Sequence, residues 1–82
     1  MVSPTIHMNG TSRESLMAGY RAAYDAIGTA IDLLAKTAPH GRDYYVQDSN
    51  AINVAIAEHR TRMMQLEVAK AEIETIILAI MD

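Results

Sequence analysis

Two stretches of this chain place apolar or small residues at alternating steps of four and three, the spacing of one face of an α-helix. The first runs Leu16, Tyr20, Ala23, Ile27, Ala30 and Leu34, with Tyr24 and Ile31 widening the stripe. The second runs Ile52, Ile56, His59, Met63, Leu66, Lys70, Ile73, Ile77 and Ile80, broadened by Ala55, Ala69 and Ile76. Breakers bound both. Thr11 followed three residues later by Glu14 has the capping-box pattern, which predicts a helix start at Thr11. Pro39 disfavours helical geometry in the residue before it, so the first helix is expected to end near Ala38. Any of Asp48, Ser49 and Asn50 has the side chain to cap the second. The pattern therefore predicts helix one over residues 11–38, a loop over 39–48 and helix two over 49–81. At about 1.5 Å per residue helix two is on the order of 45 Å long. A short connection favours an antiparallel αα-hairpin. The expected fold class is all-α: a single domain over residues 1–82, made of a two-helix hairpin and an irregular arm, residues 1–10.

The end of helix two widens the picture. Ile73, Ile76, Ile77, Leu78 and Ile80 point around much of its circumference, more than one partner helix covers. These five residues are the expected oligomer interface, and the expected assembly is a homo-oligomer, a dimer or higher, forming a helical bundle. The arm folding over this end is the simpler alternative, since Val2, Ile6 and Met8 alternate with polar residues. Part of that arm also reads as a cloning junction at His7-Met8. Glycine costs about 1 kcal/mol in a helix interior, so Gly19 and Gly28 suggest close packing by a neighbour.

Composition narrows the partners. Half of the 82 residues are hydrophobic, but aromatics make up only 5%, all tyrosine, so the apolar mass is aliphatic. There is no cysteine to staple a thin core, which again points to long helix packing or self-association. The net charge is −3 with no basic run, which argues against general nucleic-acid binding. No apolar run reaches a membrane span, and the first residues lack the charged and apolar regions of a secretory signal. Asn9-Gly10-Thr11 is then read as a turn and helix start rather than a glycosylation site, and the expected compartment is the cytoplasm.

The chemistry concentrates in the loop. Pro39-His40-Gly41-Arg42-Asp43-Tyr44-Tyr45 gathers an imidazole, a guanidinium, a carboxylate and two phenols. In the binding reading Arg42 holds a phosphate or carboxylate, Tyr44 or Tyr45 stacks on a base, His40 supplies a hydrogen bond, and Asp43 completes the set. In the structural reading Asp43 pairs with Arg42 or caps the next segment, and the rings pack on the helix ends. On helix two, His59 is expected level with Tyr24 and Ile27, hydrogen-bonded to Tyr24 in the core. Lys70 is expected to run its stem along apolar surface with its ammonium in water. No Glu-x-x-His pair exists for a di-metal bundle, and the paired acidic motifs of helical nucleotide pyrophosphohydrolases are missing. No nucleophile–base pair or phosphate-binding glycine loop is visible. The expectation is a protein without catalytic residues, metal or cofactor.

With Asn9-Gly10-Thr11-Ser12 before the first helix, the Pro39–Tyr45 loop and Glu58-His59-x-x-Arg62 on the second, the chain resembles small uncharacterised proteins of bacteriophages and prophages. That resemblance implies that the arm is native and that the host cytoplasm is the compartment. Small helical phage proteins include counter-defence proteins, some of which sequester nucleotide signals, and virion or packaging accessories. The expected partners are therefore a nucleotide-like small molecule, or a host or phage protein.

Overall fold

A computed structural model of the chain describes residues 1–81. It contains α1 (Arg13–Ala35), a one-turn 3-10 helix, η1 (Gly41–Asp43), and α2 (Ala51–Met81), with no strand among the described residues. The two long helices pack antiparallel. Arg13 at the start of α1 touches Ile80 at the end of α2, and Tyr24 lies against Lys70 midway. No helix of the described residues is long and apolar enough to cross a membrane.

Each boundary has a local cause. α1 begins two residues after Thr11, because Ser12 is the cap: its hydroxyl accepts the Ser15 N–H at 3.1 Å. Its end falls three residues short of Ala38. There the N–H groups of Lys36, Thr37 and Ala38 each bond three residues back, and the Thr37 hydroxyl donates to the Leu34 carbonyl at 2.8 Å. That hydroxyl competes with the backbone for the carbonyl that an α-turn needs. At the start of α2, Asp48 Oδ1 accepts the Asn50 N–H at 2.9 Å, and the Asn50 carbonyl accepts the first helical bond from Val54. The connection is thus fifteen residues, Lys36–Asn50, longer than the 39–48 expected.

The expected stripe positions are half-buried or buried on both helices except Ala30, which is exposed, and Met17, Gly28 and Ala51 are half-buried beside them. A straight α-helix turns through 3.6 residues rather than 3.5, so its inward stripe drifts off a strict heptad. The molecule measures 61 × 21 × 17 Å. Ile80 is the one fully buried side chain among the described residues, at 1% exposure. Two helices alone cannot enclose an isoleucine so completely. The first turn of α1 lies beside it, and the arm is the third element that leads into that end. Within the arm Pro4 and Ile6 are half-buried, whereas Val2 and Met8 are almost fully exposed. The arm therefore packs through part of its length rather than as a continuous strip. Arg13 Nε closes the same end by donating to the Ile80 carbonyl at 2.9 Å, one of the terminal carbonyls that lack an intrahelical partner.

Candidate functional site

The helix register determines where a site can form. α2 is eight residues longer than α1, from 23 and 31 residues respectively. With the far ends level at Arg13 and Ile80, the first two turns of α2 overhang the end of α1. The long connection runs beside that overhang. Between them lies an open groove of about 580 Å³. Tyr44 and Pro39 of the connection form one wall, Leu34 its floor, and Glu58, His59 and Arg62 of α2 the other. His59 is thus level with Leu34 rather than with Tyr24, and among the described residues its ring makes no hydrogen bond. The expected His59–Tyr24 pair does not form, because Lys70, about three turns further along α2 than His59, lies at the level of Tyr24.

Tyr24 is instead taken by Lys70, whose Nζ sits 4.8 Å from the ring centroid. The half-buried Lys70 thus lies across an aromatic face as well as along the apolar surface expected for its stem. Gly28 lies against it: a Cβ there would touch Lys70 Nζ at 3.4 Å, an ordinary van der Waals contact. Gly19 has nothing within 4 Å of a built Cβ, so no contact within the hairpin accounts for it.

The five loop residues occupy different places. His40 caps the 3-10 turn, its Nδ1 accepting the Arg42 N–H at 3.2 Å while its carbonyl accepts the Asp43 N–H at 3.0 Å. A ring nitrogen is thereby committed to the backbone. Arg42 and Asp43 have exposed side chains, and Tyr45 is 80% exposed. Tyr44 alone of the five lines the groove. The groups it meets there are Glu58, His59 and Arg62; the sequence pattern read Glu58 and Arg62 as solvated helix flanks and His59 as a core histidine. The signal available was Glu58-His59-x-x-Arg62 itself: residues three and four apart share a helix face.

The groove can do definite chemistry. Arg62 has the planar fork that grips a phosphate or carboxylate, and Tyr44 offers a ring for stacking. Asp48 and Glu58 add acceptors, so the lining suits a ligand bearing both an anionic group and hydrogen-bond donors. No hydrogen bond joins two titratable side chains among the described residues, and no three His, Asp or Glu are grouped to hold a metal ion.

The residues expected at an oligomer interface also separate. Ile73 lines an apolar furrow with Leu16, Gly19, Tyr20 and Ala23. Ile77 and Leu78 line a different depression, with Arg21, Tyr24 and Glu74. Ile76 is half-buried and Ile80 is enclosed. Comparison with protein-family models, curated proteins and solved structures found no match to the chain. Fold and groove together define its class, an all-α antiparallel helical hairpin with an open groove at its connecting end.

Proposed function

We propose that this is a non-enzymatic binding protein of phage type that works as an assembled helical bundle, in its simplest form a homodimer of hairpins. The observation that carries the reading is the surface left uncovered. A compact monomer of 9.0 kDa exposes about 4,900 Å². This chain exposes 6108 Å². The excess, about 1,200 Å² per chain, exceeds the roughly 800 Å² each partner contributes to a standard interface. The furrow at Leu16, Gly19, Tyr20, Ala23 and Ile73 is the natural contact, since it is apolar and Gly19 leaves room for a close helix. Native mass spectrometry at micromolar concentration tests this. A species of two or more chains is expected, and Gly19→Leu should dissociate it. A wild-type chain that stays monomeric would sink the proposal.

A second reading is favoured by the groove: sequestration of a nucleotide-like signal, as a counter-defence protein does. Arg62 would hold the phosphate, Tyr44 would stack and His59 would donate a hydrogen bond. Arg42, on the exposed side of the 3-10 turn, then contributes only steering charge. Native mass spectra before and after incubation with small molecules extracted from host cells test it. The reading requires an added mass that Arg62→Ala abolishes and Arg42→Ala largely preserves. An added mass indifferent to Arg62 would refute it.

A further inference from the structure

α2 carries a second apolar seam; its middle, from Ala57 to Thr75, is turned away from α1, while Val54 at one end also lines the groove and Leu78 at the other a depression shared with Arg21 and Tyr24. Val54, Thr61, Val68 and Thr75 recur every seven residues, and each is followed three residues later by Ala57, Met64, Ala71 or Leu78. The three-and-four spacing is unbroken over 25 residues, about 36 Å of helix. At 100° per residue its centre lies roughly opposite the seam that faces α1. All eight residues are exposed, including Met64 at 66% and Val68 at 52%.

The seam has the make-up of a helix-packing face. One set of positions is entirely β-branched and the other holds Ala, Met and Leu, the division that two-stranded coiled coils use. The threonines are not polar interruptions. Thr61 Oγ1 donates to the Ala57 carbonyl and Thr75 Oγ1 to the Ala71 carbonyl, both at 3.1 Å. Each hydroxyl thus satisfies its own donor within α2 and asks nothing of a partner. A helix apolar on two opposite faces is normally contacted on both.

The flanks say what the partner must be. Glu58, Gln65 and Glu72 edge one side, and Arg60, Glu67 and Glu74 the other. Pairing this seam with a parallel second copy sets Glu67 beside Glu72. Antiparallel pairing sets Glu67 beside Glu67 and Glu58 beside Glu72, against a favourable Arg60–Glu74. Charges at these edges govern which helices pair, and like charges oppose it. Four carboxylates against one guanidinium also disfavour an anionic membrane or nucleic acid. We propose that the outward seam of α2 docks an amphipathic helix of another protein, its apolar stripe edged by Lys or Arg. This rests on the interaction reading above and adds the face and the partner's chemistry; the homo-oligomer occupies the other side.

The test uses the full chain and two labelled 25-residue helical peptides with identical apolar seams, one edged by lysine and one by glutamate. Binding is read by fluorescence anisotropy, and the oligomer by native mass spectrometry of the same samples. The lysine-edged peptide should bind at least roughly tenfold tighter than the glutamate-edged one, weakening as salt rises. Arg60→Glu should tighten it. The neutral, helix-forming double variant Met64→Gln/Val68→Gln should lose roughly tenfold or more in affinity with oligomer mass unchanged. Equal binding of the two peptides, or none, overturns the inference while leaving the bundle intact. Dissociation of the oligomer by the double variant overturns it too, because the seam then belongs to a second copy. A monomeric wild type that binds the lysine-edged peptide sinks the bundle and upholds the docking face.

Discussion

Ile80→Ala is the most informative substitution in the fold, because one side chain carries the fully buried part of the core. The change removes three carbons, worth about 2–2.5 kcal/mol of transfer free energy at roughly 0.8 per buried methylene. Cavity formation raises measured losses for such changes to about 2–5 kcal/mol. The arm can partly collapse into the space, so about 3 kcal/mol is expected. A domain of this length has only about 4–12 kcal/mol in total. The melting temperature should therefore fall by roughly 12–24 °C. Val68→Ala is the control: it makes a similar gain in helix propensity at an exposed site and should cost under about 1 kcal/mol. Deleting residues 1–7 tests the cover itself. If the arm encloses Ile80, the cost of Ile80→Ala should drop by about 1–1.5 kcal/mol in the shortened chain. Circular dichroism at 222 nm during thermal and urea unfolding, at two protein concentrations, separates these effects from mass action. An Ile80→Ala loss no greater than that of Val68→Ala would refute the burial argument. A loss unchanged by the deletion would refute the arm as the cover.

Other expectations follow from single contacts. Ser12→Ala should cost about 1 kcal/mol in urea unfolding and Thr11→Ala almost nothing, because Ser12 is the residue that caps α1. Gly19→Ala should stabilise the isolated hairpin by about 0.5–1 kcal/mol, as nothing opposes the added methyl; a loss that grows with protein concentration would place another chain against it. A double-mutant cycle of Lys70→Met and Tyr24→Leu should give a coupling of about 0.5–1 kcal/mol; a coupling of zero would remove the cation–π contact from the account.

Much of this molecule is legible one helix at a time. The periodicity of residues 16–34 and 52–80 identified two helices and nearly every inward position, because which side chains share a face depends only on the local 3.6-residue turn. Charge and the absence of cysteine were equally direct. The capping of α1 was misassigned by one residue, because Thr11 and Ser12 are both competent caps and only the chain's path chooses between them. The loop was less legible. His40 and Arg42 advertise binding chemistry by type, yet one ring nitrogen of His40 serves the backbone of a 3-10 turn.

Register was the quantity that sequence could not supply. Periodicity says which face of α2 meets α1 but not how far one helix slides along the other. That sliding is set by where the connection ends and by which side chains fill which gaps. Lys70 finds its place over Tyr24, with Gly28 beside its ammonium. The resulting overhang moves His59 out of the middle of the hairpin and sets it beside Arg62 and Tyr44 in the groove. Helix identity and inward face were determined by the sequence alone, because they are local. The groove, the enclosure of Ile80 and the free outer seam were decided by tertiary structure, because each depends on segments far apart in the chain meeting at one level.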